Sequence, residues 1–204
     1  MHLLKEYQIN AKEAMKQYFL QLSAHYEKMQ SLPADVIEEL DVEYNWAEKA
    51  WHNLFPAGTQ NNEYKSKRTG HGKFCPNFCL KIPTGGGKTL MATYAIEYYL
   101  EQLKKQKTGF VLWVVPSEQI YTQTLSALQD RSHPYRERLD AVSGHKVKII
   151  TKKDRFSPND VKENLVVLVM MLQSFSRDKF KKDDLKFFQD NGKFDEFFPL
   201  ETNQ

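Results

Sequence analysis

Leu80-Lys81-Ile82-Pro83-Thr84-Gly85-Gly86-Gly87-Lys88-Thr89-Leu90 places three successive glycines and a Lys-Thr pair between an apolar stretch and the start of a helical pattern. Glycines reach positive φ at little steric cost, so this run can turn consecutive backbone N–H groups toward one point and form a nest for an anion. Leu90, Met91, Tyr94, Ala95 and Tyr98 then recur at helical spacing, and the spacing predicts a helix from Lys88 to about Lys105. A helix N-terminus brings further unpaired N–H groups and its positive dipole end to the same point, which makes a phosphate the expected ligand. Thr84, Gly85, Gly86, Gly87, Lys88 and Thr89 are the candidate nucleotide-binding residues, with Lys88 on the β- and γ-phosphates and the Thr89 hydroxyl on Mg2+. Upstream, Phe78 to Ile82 reads as a short buried strand, so the order is strand, loop, helix. Ile82 stands where the general phosphate-loop pattern has its first glycine.

Beyond the helix, Gly109 precedes the apolar run Phe110 to Val115, whose continuity fits a parallel strand covered on both faces, and Pro116 closes it. Ser117 is a candidate N-cap for a helix reaching about Asp130. Val147 to Ile150 reads as a short strand and Leu165 to Met171 as the most apolar strand of the chain. Strands alternating with helices predict an α/β fold with a parallel sheet flanked by helices. The Lys-rich stretch from Arg177 to Lys193 reads as one more helix.

Ahead of the loop, Ala11, Ala14, Met15, Tyr18, Phe19 and Leu22 recur at helical spacing and predict a helix over Tyr7 to Met29. A second helical pattern follows Pro33 through Trp46, Ala50, Trp51 and Leu54 and ends before Pro56, its aromatics serving packing. From about Ala57 to Lys73 the chain turns polar, with Lys65, Lys67, Arg68, Gly70 and Gly72, and reads either as a solvated basic loop or as a nucleic-acid contact. Two cysteines, Cys75 and Cys79, with His71 fall short of a four-ligand zinc set and read as reduced, partly buried thiols, Cys79 within the strand before the loop.

With 204 residues the chain has room for one sizeable α/β domain and an accessory segment. A 41% hydrophobic share against 27% charged supports a buried core and argues against disorder. The net charge of +3 leans basic without deciding a partner. The longest apolar run, Leu165 to Leu172, is too short to span a bilayer, and the N-terminus lacks the apolar core of a signal peptide, so no membrane contact and a cytoplasmic location are expected.

Pro83-Thr84-Gly85-Gly86-Gly87-Lys88-Thr89, with a bulky residue before it in place of glycine, resembles motif I of the superfamily 2 helicases and translocases. Leu4-Lys5-Glu6-Tyr7-Gln8 resembles the short motif whose glutamine reads the adenine edge, which implies that role for Gln8, with Tyr7 positioning it. Val114-Val115-Pro116-Ser117-Glu118-Gln119 stands where motif Ia lies and implies nucleic-acid backbone contacts at Pro116 and Ser117. Met171-Leu172-Gln173-Ser174-Phe175 is similar to a later backbone-contacting motif, which carries over to Gln173 and Ser174, while Met171 replaces the usual threonine. Together with Val111 to Ser117, the string Leu80 to Leu90 is similar to the helicase (Res) subunit of type III restriction enzymes and related DEAD/DEAH-box proteins. Taken singly, Gln8, Ser117, Gln173 and Ser174 could equally be helix caps or surface amides; their order behind a phosphate loop favours function.

The resemblance implies a first RecA-like, ATP-binding domain over residues 76–204, preceded by residues 1–75 with the adenine motif and a helical insertion at about residues 20 to 75. It implies ATP and Mg2+ as cofactors, double-stranded DNA as a partner, and a methyltransferase subunit or a polypeptide that completes the motor as another. It also implies a chain that stops before the acidic motif of the family, since the Asp195-Glu196 pair does not follow an apolar strand, and that is inactive alone. A different P-loop enzyme such as a small-molecule kinase, or a non-catalytic remnant, are the competing readings.

Overall fold

The computed structural model describes residues 4–31, 44–56 and 63–175, and the chain divides into two compact units, Met1–Lys105 and Gln106–Gln204. The expected helix at Arg177 to Lys193 and the start of the second helical pattern after Pro33 lie outside the described residues.

The first unit is built on α1 (Glu6–Gln30), which buries Met15, Tyr18, Phe19 and Leu22, one face at i, i+3, i+4 and i+7. Ala14, expected on that face, is exposed, and Tyr26 and Met29 extend the packing instead. Against α1 lie α2 (Trp46–Leu54), with Ala47 and Ala50 wholly buried, and α3 (Lys88–Tyr98), with Met91, Tyr94 and Tyr98 inward. Asn45 caps α2 by accepting from the Glu48 N–H at 3.1 Å. The pattern from Lys88 to Lys105 is not one α-helix: after Tyr98 it continues as a π-helical turn, Tyr99–Lys104, closed by Lys105 at φ 52. Between α2 and α3 the basic loop contains a two-residue antiparallel hairpin, β1 (Lys67–Arg68) and β2 (Phe74–Cys75).

Phe78 to Ile82 is not a strand. Its side chains alternate as a strand's would, Phe78, Leu80 and Ile82 inward and Cys79 and Lys81 exposed, but among the described residues no strand pairs with it. The period-2 burial comes from packing on the aromatic core, where Phe78 meets Tyr18 and Phe19 edge-on at 5.8 and 5.9 Å. Cys75 and Cys79 are free and exposed, not partly buried, because the apolar side chains of this stretch take the inward positions.

The second unit is a three-stranded parallel sheet in the order β3 (Gly109–Val115), β5 (Leu165–Met171), β4 (Val147–Thr151). Its middle strand is the most apolar, Leu165 to Met170 all buried, as a parallel strand with neighbours on both sides and cover on both faces requires. Among the described residues β3 pairs on one side alone, and Leu112 and Val114 are 38% and 40% exposed, so the expected cover on both faces is incomplete there. Three helices accompany the sheet: α4 (Glu118–Gln129), α5 (Pro134–Ser143) and α6 (Pro158–Glu163). α4 begins at the predicted cap, with the Ser117 side chain accepting from the Ile120 N–H. No helix among the described residues is long and apolar enough to cross a membrane.

Candidate functional site

The glycine run enters α3 through backbone that other residues fit poorly. Gly87 is the N-cap of α3 at φ 85, and Gly85 sits at φ 72, both in the left-handed region. A Cβ on Gly86 would lie 2.6 Å from the Ile82 side chain and 2.8 Å from the Pro83 carbonyl oxygen. The Gly86 N–H donates to that same oxygen at 3.0 Å, so the loop folds back on Pro83. α3 has no side-chain cap, which leaves its N-terminal amides for a ligand.

Lys88 is exposed, and its Nζ donates to the Pro83 carbonyl at 3.0 Å, spanning the loop from its far side. Thr89 is half-buried on the first turn of α3, and Thr84 is exposed. These residues fit the phosphates of a nucleotide. The donors are backbone amides and one ammonium, and positions 85–87 are kept clear of side chains by conformation and close approach.

Gln8, 78 residues earlier, is held against the same loop. Its Nε2 donates to the Gly86 carbonyl at 2.9 Å, while its Oε1 accepts from the Lys5 N–H at 2.9 Å and caps the first turn of α1. Tyr7 adds a second donor, its hydroxyl 3.2 Å from the Gly86 oxygen. Gln8 therefore acts both as a helix cap and as a tie to the phosphate loop.

The other candidate residues lie in the second unit. Val115 pairs with Met171 in parallel register, so Pro116-Ser117 and Gln173-Ser174 leave the sheet at the C-terminal ends of neighbouring strands. Ser117 is occupied as the α4 cap, Pro116 and Gln173 are exposed, and Ser174 is half-buried. Ser174 and Met171 line a crevice of about 290 Å3 with Tyr121, Thr151, Lys152 and Lys153. The carboxyl ends of parallel strands are where open α/β sheets bind ligands. The two lysines were not singled out from the sequence, although a Lys-Lys pair directly after a short strand was a readable signal.

Among the described residues, no group of three or more His, Cys, Asp or Glu converges as a metal cluster. The sequence profile of the family described as "Type III restriction enzyme, res subunit" matches residues 2–197. The chain belongs to that family. Membership marks this stretch as a helicase-family domain of the ATP-binding kind, in keeping with its mixed α/β fold and parallel sheet. No curated protein and no solved structure matches the chain.

Proposed function

We propose that this type III Res-family chain is the ATP-binding, RecA-like part of a DNA translocase, and that by itself it binds Mg-nucleotide without turning it over. The observation that carries the reading is the glycine loop at the N-terminus of α3, held in place by Gln8 and Tyr7 through the Gly86 carbonyl. The amides of Gly85 to Thr89 would take the phosphate oxygens, and Lys88 would exchange the Pro83 carbonyl for the β- and γ-phosphates. The Thr89 hydroxyl would ligate Mg2+, which supplies charge neutralisation at the phosphates when bound. The Gln8 amide has a donor and an acceptor in one plane, the pairing an adenine edge requires. DNA phosphates would meet the strand ends at Pro116, Ser117, Gln173 and Ser174, where no base need be read.

Exchange of one hydrogen-bond acceptor for a charged one favours the nucleotide, because bonds to ionised groups are roughly twice as strong as neutral ones. Titration with a fluorescent ADP is expected to saturate for the wild type and to weaken by at least about tenfold in Lys88→Ala, a charge-assisted bond being worth about 1.5–3 kcal/mol. Equal affinities would remove Lys88 from the site and with it the nucleotide reading of the loop.

A further inference from the structure

We infer that the β1–β2 hairpin and the aromatic cavity that it borders form a site for single-stranded nucleic acid, with lysines holding phosphates and the cavity receiving an unstacked base. The inference deepens the nucleic-acid part of the proposed function but does not depend on the phosphate loop holding a nucleotide.

From Lys65 to Lys73 the chain carries Lys65, Lys67, Arg68, His71 and Lys73, all exposed, and no Asp or Glu. Among the described residues, no carboxylate forms an ion pair with Lys65, Lys67 or Lys73. Like charges repel one another, yet this run is held in an ordered turn. The Thr69 N–H donates to the Lys73 oxygen at 2.8 Å, and the Gly72 N–H to the Thr69 oxygen at 2.9 Å. The Arg68 guanidinium lies 3.7 Å above the Phe74 ring and donates to the Gly72 carbonyl at 2.7 Å, so one cation holds the turn that displays the others. Lys67 stands directly opposite Cys75 in the antiparallel register, and residues so paired share a face of the ladder.

That face borders a cavity of about 550 Å3, with Cys75 and Lys73 in its lining. The walls are the rings of Tyr26, Trp46, Phe78 and Tyr99, and a second cation, Lys104, joins Lys73. Not one of the lining residues is acidic. Tyr99 and Lys104 come from the π-helical turn, whose wider winding changes the direction of its side chains; such turns recur at functional sites. Cations spaced along an extended strand match the repeated charge of a phosphate backbone, and an aromatic wall accepts any base because every base has a π face. A duplex keeps its bases stacked, so the ligand that satisfies both features is a single strand.

The test uses the full chain with a short labelled oligothymidylate and an abasic strand of the same length and charge. The thymidylate is expected to bind about tenfold or more tighter than the abasic strand, and Tyr26→Leu to erase that preference. The double variant Lys67→Ala/Lys73→Ala is expected to lower the slope of log affinity against log salt by about 1.4, or about 0.7 for each lost phosphate contact on a single strand. A measurement on unaltered protein stands beside these: the oligonucleotide should slow alkylation of Cys75 while Cys79, also exposed but outside the cavity lining, reacts at its own rate. Unchanged Cys75 alkylation, or an unchanged salt slope in the double variant, overturns the inference. If Ser174→Ala weakens binding while the lysine variant does not, nucleic acid sits only at the strand-end crevice, and the inference fails with the proposed function intact. Nucleotide titration reads different residues with a different probe, so either reading can fail alone.

Discussion

Gly86 has no room for a side chain, and its carbonyl is the point where the N-terminal helix grips the phosphate loop. Gln8 serves that grip with its Nε2 and the α1 cap with its Oε1, which sets local and tertiary preference against each other in one substitution. By helix rules Gln8→Glu is favourable, since a glutamate at N3 still accepts the N-cap N–H and its charge complements the helix dipole. In the fold it places a carboxylate oxygen against the Gly86 carbonyl, acceptor facing acceptor. We expect Gln8→Glu to bind ADP more weakly than Gln8→Ala, by about three-fold or more, although its helix is better capped, the cost of a lost and opposed hydrogen bond being about 1 kcal/mol. Fluorescent-nucleotide titration of both variants checks this, and tighter binding by the glutamate protein would mean that the Gly86 contact does not position the loop.

At the level of elements, α5 is held by a buried ion pair beside the buried Leu139 and Val142. Arg136 and Asp140, both buried, meet at 3.0 Å, and the same guanidinium donates to the carbonyls of Leu128 at the end of α4 and Val147 at the start of β4. Removing the arginine strands a carboxylate and two carbonyls in a dry place. Arg136→Met is therefore expected to cost roughly 3 kcal/mol or more of stability in the second unit, read as a shift of the urea midpoint, and a cost under about 1 kcal/mol would show that water reaches the pair. The smaller helix α6 carries a pH signature. The Lys148 ammonium, 2.7 Å from Asp160, with the Ser157 backbone N–H and hydroxyl, holds that carboxyl below its ordinary range. A depressed folded pKa gives stability that is complete above the unfolded value of about 4 and is lost as pH falls through the folded one. Asp160→Asn should therefore flatten the acid limb of the stability–pH profile; denaturant midpoints of both proteins from about pH 6 downward test it, and parallel acid limbs would rule Asp160 out.

For the whole molecule, the family match runs from residue 2 to 197, across both compact units, so the phosphate loop of the first and the parallel sheet of the second belong to one family domain. The proposed function separates binding from turnover at this scale. Phosphoryl transfer is catalysed mainly by positioning and charge stabilisation, and needs a metal-holding acid and an arginine at the transferred phosphate. In the proposed function this chain supplies neither, and loss of an arginine finger alone is worth on the order of 10³ to 10⁵ in rate in GTPases. Purified chain is expected to release phosphate at background rate with or without DNA. DNA-stimulated release that vanishes in Lys88→Ala would reveal an acid within these 204 residues, with Asp195 and Glu196 the first to substitute.

The features legible in the amino-acid order are local: the helix α1 from its period of 3.6, the strands β3, β4 and β5 from their apolar runs, the Ser117 cap and the glycine loop entering α3. Each depends on residues within a few positions, where periodicity, caps and glycine chemistry act. α5 is not announced by a hydrophobic pattern: Pro134-Tyr135-Arg136-Glu137-Arg138 is polar, and its buried face joins only Leu139 and Val142 to an ion pair. Three features needed the folded chain: among the described residues Phe78 to Ile82 has no ladder partner and β3 pairs on one side alone, and Gln8 reaches Gly86 across 78 residues. A ladder or a tertiary hydrogen bond needs a second partner in space, and a side chain's chemistry fixes what it can bond to but not which distant backbone arrives beside it.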